Sequence, residues 1–282
     1  MLYFRRGCAI VVLAIASLSM VHGQAPKLMP AAAPLSIGQT FTLQSKVLGE
    51  IRRINVYLPS AYNDSATLPL PVLYMPDGGI QEDFLHVAGL VQVSTGNGTM
   101  RPFILVGIEN TARRRDLTGP TTSAEDKKIA PKVGGSAAFR QFIRQELMPA
   151  VRQRYRTTAE TAIVGESLAG LFVVETLLLE PTLFNTYLAF DPSLWWNNGQ
   201  LAAQAGTMLQ KAGRPASVVY LATSSQGDTA ATRRVVQVGS VTRIGAWYYE
   251  PMPQETHATI YHPAALRAFR AVFKPQSVGG LH

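Results

Sequence analysis

Apolar residues recur along this chain in two registers. Alternation at every second position marks FTLQSKVL and RRINVYLP as two strands, with Gly49-Glu50 as the turn between them. Unbroken apolar runs mark PVLYMP, FILVGIEN, TAIVG, TYLAF and VVYLATSS as strands buried on both faces, and RIGAWYYEPMP reads as the last strand. A helical period places Phe139, Ile143, Leu147 and Val151 on one face of AAFRQFIRQELMPAVRQRY. The apolar segment LAGLFVVETLLLE reads as a helix stopped before Pro181, and TAATRRVVQVG and AALRAFRAVF read as two more. Residues 111–135 are polar and punctuated by Gly and Pro, so a long surface loop is expected there. Strands separated by helices imply an α/β fold: a mainly parallel sheet with helices on both faces, made mixed by the N-terminal hairpin. The domain is expected over residues 39–275, after an Ala/Pro-rich lead-in at 24–38 and before a tail at 276–282. Ligands in such sheets bind beyond the carboxyl ends of the strands.

The first 23 residues break the pattern. Arg5 and Arg6 precede an apolar run, Gly7 to Met20, that is short for a membrane span. Val21-His22-Gly23 places compact residues where a signal peptidase reads. A signal peptide cleaved near Gly23–Gln24 is therefore expected, giving an exported protein, periplasmic or secreted, with no stable membrane span; an uncleaved anchor is the alternative. Cleavage would remove the only cysteine, Cys8, and with it any disulfide or thiol nucleophile. It would also lower the net charge from +8 to about +6, since 24 basic residues then face 18 acidic ones. Four histidines follow Gly23 and form no HExxH or Cys/His cluster, so neither a metal nor a cofactor is expected. The basic residues are dispersed without an aromatic-basic module, which argues against nucleic acid as a partner. The candidate nucleophiles are hydroxyls.

One serine has the right setting. Gly165-Glu166-Ser167-Leu168-Ala169-Gly170 falls on a strand-to-helix turn, where a sharp bend holds a hydroxyl above the sheet and leaves room only for small neighbours two residues away. A serine needs a base, and in this chain order it follows the nucleophile. His257 lies between the last strand and the last helix, whereas His262 abuts Pro263 and His282 is terminal. For the acid that orients the base, Asp228 occupies the usual place after VVYLATSSQG; Asp191, or no dedicated acid, are the alternatives. The oxyanion donors are assigned to the N–H of Leu168 and to that of Gly78, in the DGG loop after PVLYMP. Trp195-Trp196 reads either as an aromatic wall for substrate or as core. Arg113-Arg114-Arg115, with Arg115 as the candidate contact, reads either as a site for an anionic substrate or as a solvated charge run.

VYLPSAY, VLYMPDGG, LVGIENTARRRDLT, VGESLAGLFVVETLLLEPTLFNTYLAFDPSLWWNN and ETHATIYHPAAL together resemble the esterase D-type esterases of the α/β-hydrolase fold. Within that group the likeness is to periplasmic enterobactin-type siderophore esterases, over about residues 45–273. The resemblance implies cofactor-free hydrolysis of a small-molecule ester, with Ser167 as nucleophile and His257 as base. Some siderophore esterases work as Ser-His pairs, and the wider group includes feruloyl, acetyl-sugar and S-formylglutathione esterases. Two positions depart from the pattern: Glu166 stands where His or Gln is usual, and Ala169 replaces a glycine. A binding protein on a hydrolase scaffold and an envelope acyltransferase are the alternative functions.

Overall fold

The strand-like segments assemble into one eight-stranded sheet, in the order β1-β2-β4-β3-β5-β6-β7-β8. The structure, a computed structural model, describes residues 32–211, 217–242 and 245–275. The expected signal peptide, most of the lead-in and the tail lie outside these residues. β1 (Gln39–Ser45) and β2 (Glu50–Tyr57) form the expected hairpin, with Gly49 at φ 69° in its turn, a conformation that favours a residue without Cβ. β2 also lies antiparallel to β4 (Ile104–Ile108). β3 (Leu70–Pro76), β5 (Thr157–Glu166), β6 (Thr186–Phe190), β7 (Val218–Ser224) and β8 (Ala246–Met252) complete the parallel part.

Every residue of β3, β4 and β6 is buried, because both faces of the sheet are covered. Among the described residues the α-helices, in chain order, are α1 (Ser60–Asn63), α2 (Phe84–Gly96), α3 (Arg113–Asp116), α4 (Ala124–Ile129), α5 (Ser136–Phe142), α6 (Met148–Arg154), α7 (Ser167–Leu179), α8 (Gln200–Lys211), α9 (Thr229–Thr242) and α10 (Tyr261–Val272). Side chains alternate along each strand: Val72 and Tyr74 join one core with Phe139, Phe172 and Leu209, while Leu73 and Met75 join the other with Phe84 and Phe269. Helix α7 is buried from Leu168 through Leu178, as its apolar composition requires.

Three features depart from the pattern reading. The amphipathic helix at 136–154 carries a π turn, Ile143–Leu147, between α5 and α6. Pro149 lies two residues beyond its end; it has no N–H to continue the ladder and its ring crowds the preceding turn, so the helix widens there. Helices α2 and α8 were not legible. The first contains two glycines and several β-branched residues, and the buried face of the second is Ala202, Ala205 and Leu209, a weak apolar signal. The segment 111–135 is not a plain surface loop. It contains α3 and α4, and Asp116, Leu117 and Thr118 are buried. A fully buried Arg52 of β2 holds it through Asp116 Oδ2 at 2.6 Å, and Arg115 bonds the same carboxylate at 2.7 Å.

Candidate active site

The turn between β5 and α7 holds Ser167 at φ 60°, a left-handed conformation that a side chain adopts only under constraint. The constraint is visible in its neighbours. A Cβ on Gly165 would come within 2.7 Å of the Ala169 backbone, and one on Gly170 within 3.1 Å of the Phe190 carbonyl. The bend therefore packs on itself with no space for larger residues, and it aims Ser167 Oγ off the carboxyl end of the sheet.

His257 lies between β8 and α10. Its Nε2 is 3.0 Å from Ser167 Oγ, and its Nδ1 is 3.2 Å from Asp191 Oδ2. The loop is braced by the β7–α9 connection: the His257 N–H donates to Gln226 Oε1 at 3.0 Å, and the Ser225 N–H donates to the Glu255 carbonyl at 3.0 Å. Asp191 directly follows β6, is 2% exposed and has φ 40°. Its carboxylate accepts the Ser224 N–H at 2.6 Å and the Ser224 hydroxyl at 2.5 Å. Gly227 has to be glycine for this approach, since a Cβ there would stand 2.2 Å from Asp191 Oδ1.

Asp228, the first choice for the acid, is used differently. Its Oδ1 accepts the Ala231 N–H at 3.0 Å and caps the start of α9. The side chain that meets His257 is Asp191, the alternative. Gly78 is also corrected as an oxyanion donor. Its N–H donates to the Ile108 carbonyl at 3.0 Å, and a Cβ would collide with the backbone of Gly107 and Ile108, so the glycine serves the close approach of two strand ends. The Gly79 N–H is likewise taken, by Glu82 Oε2 at 2.7 Å. Leu168 keeps its expected place in the first turn of α7, where N–H groups have no intrahelical partner.

Two arginines of the run pair with carboxylates, while Arg114 donates to the Ile129 carbonyl at 2.8 Å. Arg115 bonds Glu50 and Asp116, so its charge is answered within the fold and not offered to a substrate. Burial works against Glu50 ionisation, but hydrogen bonds from Arg115, Thr111 and Arg52 outweigh it and hold that carboxyl down at about 2. Arg113 makes a two-point contact with Asp77, at 2.7 and 2.8 Å. Trp195 is 47% exposed, whereas Trp196 is buried and donates its indole N–H to the Gly119 carbonyl at 2.9 Å. Sequence reasoning passed over Ser193, whose N–H donates to the Ser167 carbonyl at 3.0 Å. It also left Glu166 without a role. Glu166 Oε1 is 3.3 Å from His257 Nε2, and burial pushes this carboxyl up to about 8, against the opposing charge of Arg113. Among the described residues, no group of three or more His, Cys, Asp and Glu side chains is disposed to hold a metal ion.

A strained serine after the central strand, a histidine after the last strand and a buried carboxylate behind it, on this strand order, define the α/β-hydrolase class. The chain belongs to the esterase family described as "Putative esterase", whose model matches residues 45–240. It is 30% identical over 165 residues to the ferri-bacillibactin esterase BesA of Bacillus subtilis, covering 52% of this chain and 56% of that protein. It is 32% identical over 181 residues to a siderophore triacetylfusarinine C esterase of Aspergillus fumigatus, covering 60% of each. These matches thus span less than two thirds of the relatives' own lengths. Among solved structures, an IroE-like serine hydrolase from Shewanella oneidensis superposes with a TM-score of 0.75 at 27% identity, covering 84% of this chain and 80% of that one.

Proposed function

We propose that this protein is an exported serine esterase that hydrolyses a carboxylic ester through an acyl-enzyme. The observation that carries this reading is the unbroken line Ser167 Oγ–His257 Nε2 at 3.0 Å and His257 Nδ1–Asp191 Oδ2 at 3.2 Å. His257 takes the Ser167 proton as Oγ attacks the ester carbonyl carbon. Asp191, desolvated and itself held by two bonds from Ser224, fixes the imidazole ring and stabilises its charged form. The Leu168 N–H, at the positive end of α7, faces the developing oxyanion. His257 then protonates the departing alkoxide; water, deprotonated by the same ring, attacks the acyl-enzyme and releases Ser167.

The esterase family supports the reaction type, and the siderophore esterases among the relatives point to a siderophore-type ester as the substrate class. Export rests on the N-terminal pattern; among the described residues, no helix is long and apolar enough to cross a membrane. The test is Ser167→Ala. It should abolish p-nitrophenyl ester turnover and fluorophosphonate labelling while the far-UV spectrum is retained. Equal turnover in mutant and wild type would overturn the assignment.

A further inference from the structure

Beside the proton-transfer histidine lies a cavity of about 450 Å³, bordered by Asp83, His86, Glu166, His257, Tyr261 and His262. Three buried side-chain polar atoms of these residues lack a hydrogen-bond partner: Glu166 Oε1, which His257 Nε2 approaches at 3.3 Å without forming a hydrogen bond, His86 Nδ1 and Tyr261 Oη. Tyr261 is 8% exposed, and its ring is held edge-on against His86 with centroids 4.9 Å apart and against Phe190 at 5.7 Å. Buried polar atoms are nearly always paired, so three orphans on one cavity call for a polar occupant.

Charge selects the occupant. Three carboxylates act on this region: Asp77, Asp83 and Asp191 all raise the cost of ionising Glu166, while Arg113 is the cation that lowers it. The Arg113 guanidinium is already engaged at two points by Asp77. Asp83 Oδ1 is bonded to His86 Nε2 at 3.1 Å; with that nitrogen as donor, a neutral His86 presents Nδ1 as an acceptor. The wall thus offers acceptors, and in the field around Glu166 the carboxylates Asp77, Asp83 and Asp191 outnumber the one guanidinium, Arg113.

We propose that this cavity is a subsite for an ammonium-type cation carried by the ester substrate, accepted by Glu166 Oε1, Tyr261 Oη and His86 Nδ1 in the field of Asp83. The proposal rests on the serine-esterase reading and names the substrate chemistry of the same site. It runs opposite to the anionic substrate that the arginine run suggested, because Arg113 and Arg115 are paired off within the fold. Asp77, Asp83, Asp191, Arg113, Tyr261 and the rings of His86, His257 and His262 are charged or titratable groups around Glu166. Ionisation of Glu166 adds an acceptor charge, so the preference for a cation grows from pH 6 to pH 9.

Two isosteric pairs test this: choline butyrate against 3,3-dimethylbutyl butyrate, and β-alanyl against butyryl p-nitrophenyl ester, each corrected for spontaneous hydrolysis. In wild type, at least one pair should favour the cationic ester by about tenfold or more in kcat/KM, a difference of about 1.4 kcal/mol. Choline carries a fixed charge, so its ratio should rise with pH. Glu166→Gln and Asp83→Asn should each move the ratio toward one, and thermal melts report whether each variant is folded. Ratios at or below one in wild type, with the neutral esters turned over, would overturn the subsite. So would a high ratio that neither variant lowers. If neutral esters are not turned over and the fluorophosphonate probe leaves Ser167 unlabelled, the esterase reading itself has failed, and the subsite falls with it.

Discussion

Asp191 and Asp228 stand beyond the ends of two neighbouring strands, β6 and β7, and only their surroundings separate them. Asp191 is buried, its carboxylate has three hydrogen bonds, two from Ser224 and one with His257, and it is fixed at a positive φ; Asp228 lies at a helix start and satisfies a backbone N–H. Asp191→Asn should lower kcat/KM by roughly 10²–10⁴-fold, through loss of the negative charge behind His257. Asp228→Ala should leave kcat/KM unchanged and cost about 1 kcal/mol of stability in urea unfolding, the worth of an N-cap. Glu166 gives a stability signature of its own. Its carboxyl titrates near 4.5 when unfolded and at about 8 when folded, because burial disfavours the charge. Between those values the unfolded chain has released a proton that the folded one retains, so stability falls as pH rises from about 4.5 to 8 and levels off above. Urea unfolding of wild type and Glu166→Gln across pH 4–9 checks this: wild type should lose stability relative to Glu166→Gln through that window.

At the scale of elements, the site is held by close backbone approaches. The carboxyl ends of β3 and β4 meet at Gly78 and Gly107, and a Cβ on Gly78 would stand 2.3 Å from the Gly107 Cα. Gly78→Ala should therefore prevent soluble expression or lower the melting temperature sharply. Gly89 is exposed in the middle of α2 with nothing near its missing Cβ. Gly89→Ala should stabilise the protein by about 0.5–1 kcal/mol, since alanine loses less entropy in a helix. Side by side, the two melts distinguish a glycine required by packing from one that is merely tolerated. The Gly-Gly loop thus has a structural task at Gly78, and a composition-based reading of it as an oxyanion loop could not see that the Gly78 N–H is consumed by the sheet.

For the whole molecule, the link between sheet and arginine-rich segment decides how the site is walled. Arg52 and Asp116 are both essentially unexposed and joined at 2.6 Å, with Arg115 and Glu50 completing the network. Asp116→Ala leaves a buried guanidinium short of its main partner and should cost about 3–5 kcal/mol, read as a shift in the urea midpoint. The mixed sheet, its hairpin, the strands and most long helices were legible from apolar periodicity, because burial on one face or two leaves a direct trace in residue order. Ser167 and His257 were legible as candidates because a strained turn demands small flanking residues and because the base follows the nucleophile in the chain. The rest depended on contacts between segments distant in sequence. Asp191 meets His257 across 66 positions, the arginines meet Glu50 and Asp77, and Glu166, His86 and Tyr261 converge on one cavity. Residue order alone determined the strands, most of the long helices and the hydroxyl and imidazole that could do chemistry. Tertiary structure decided which carboxylate stands behind the base and which charges are cancelled, since both follow from desolvation and distance across the folded sheet.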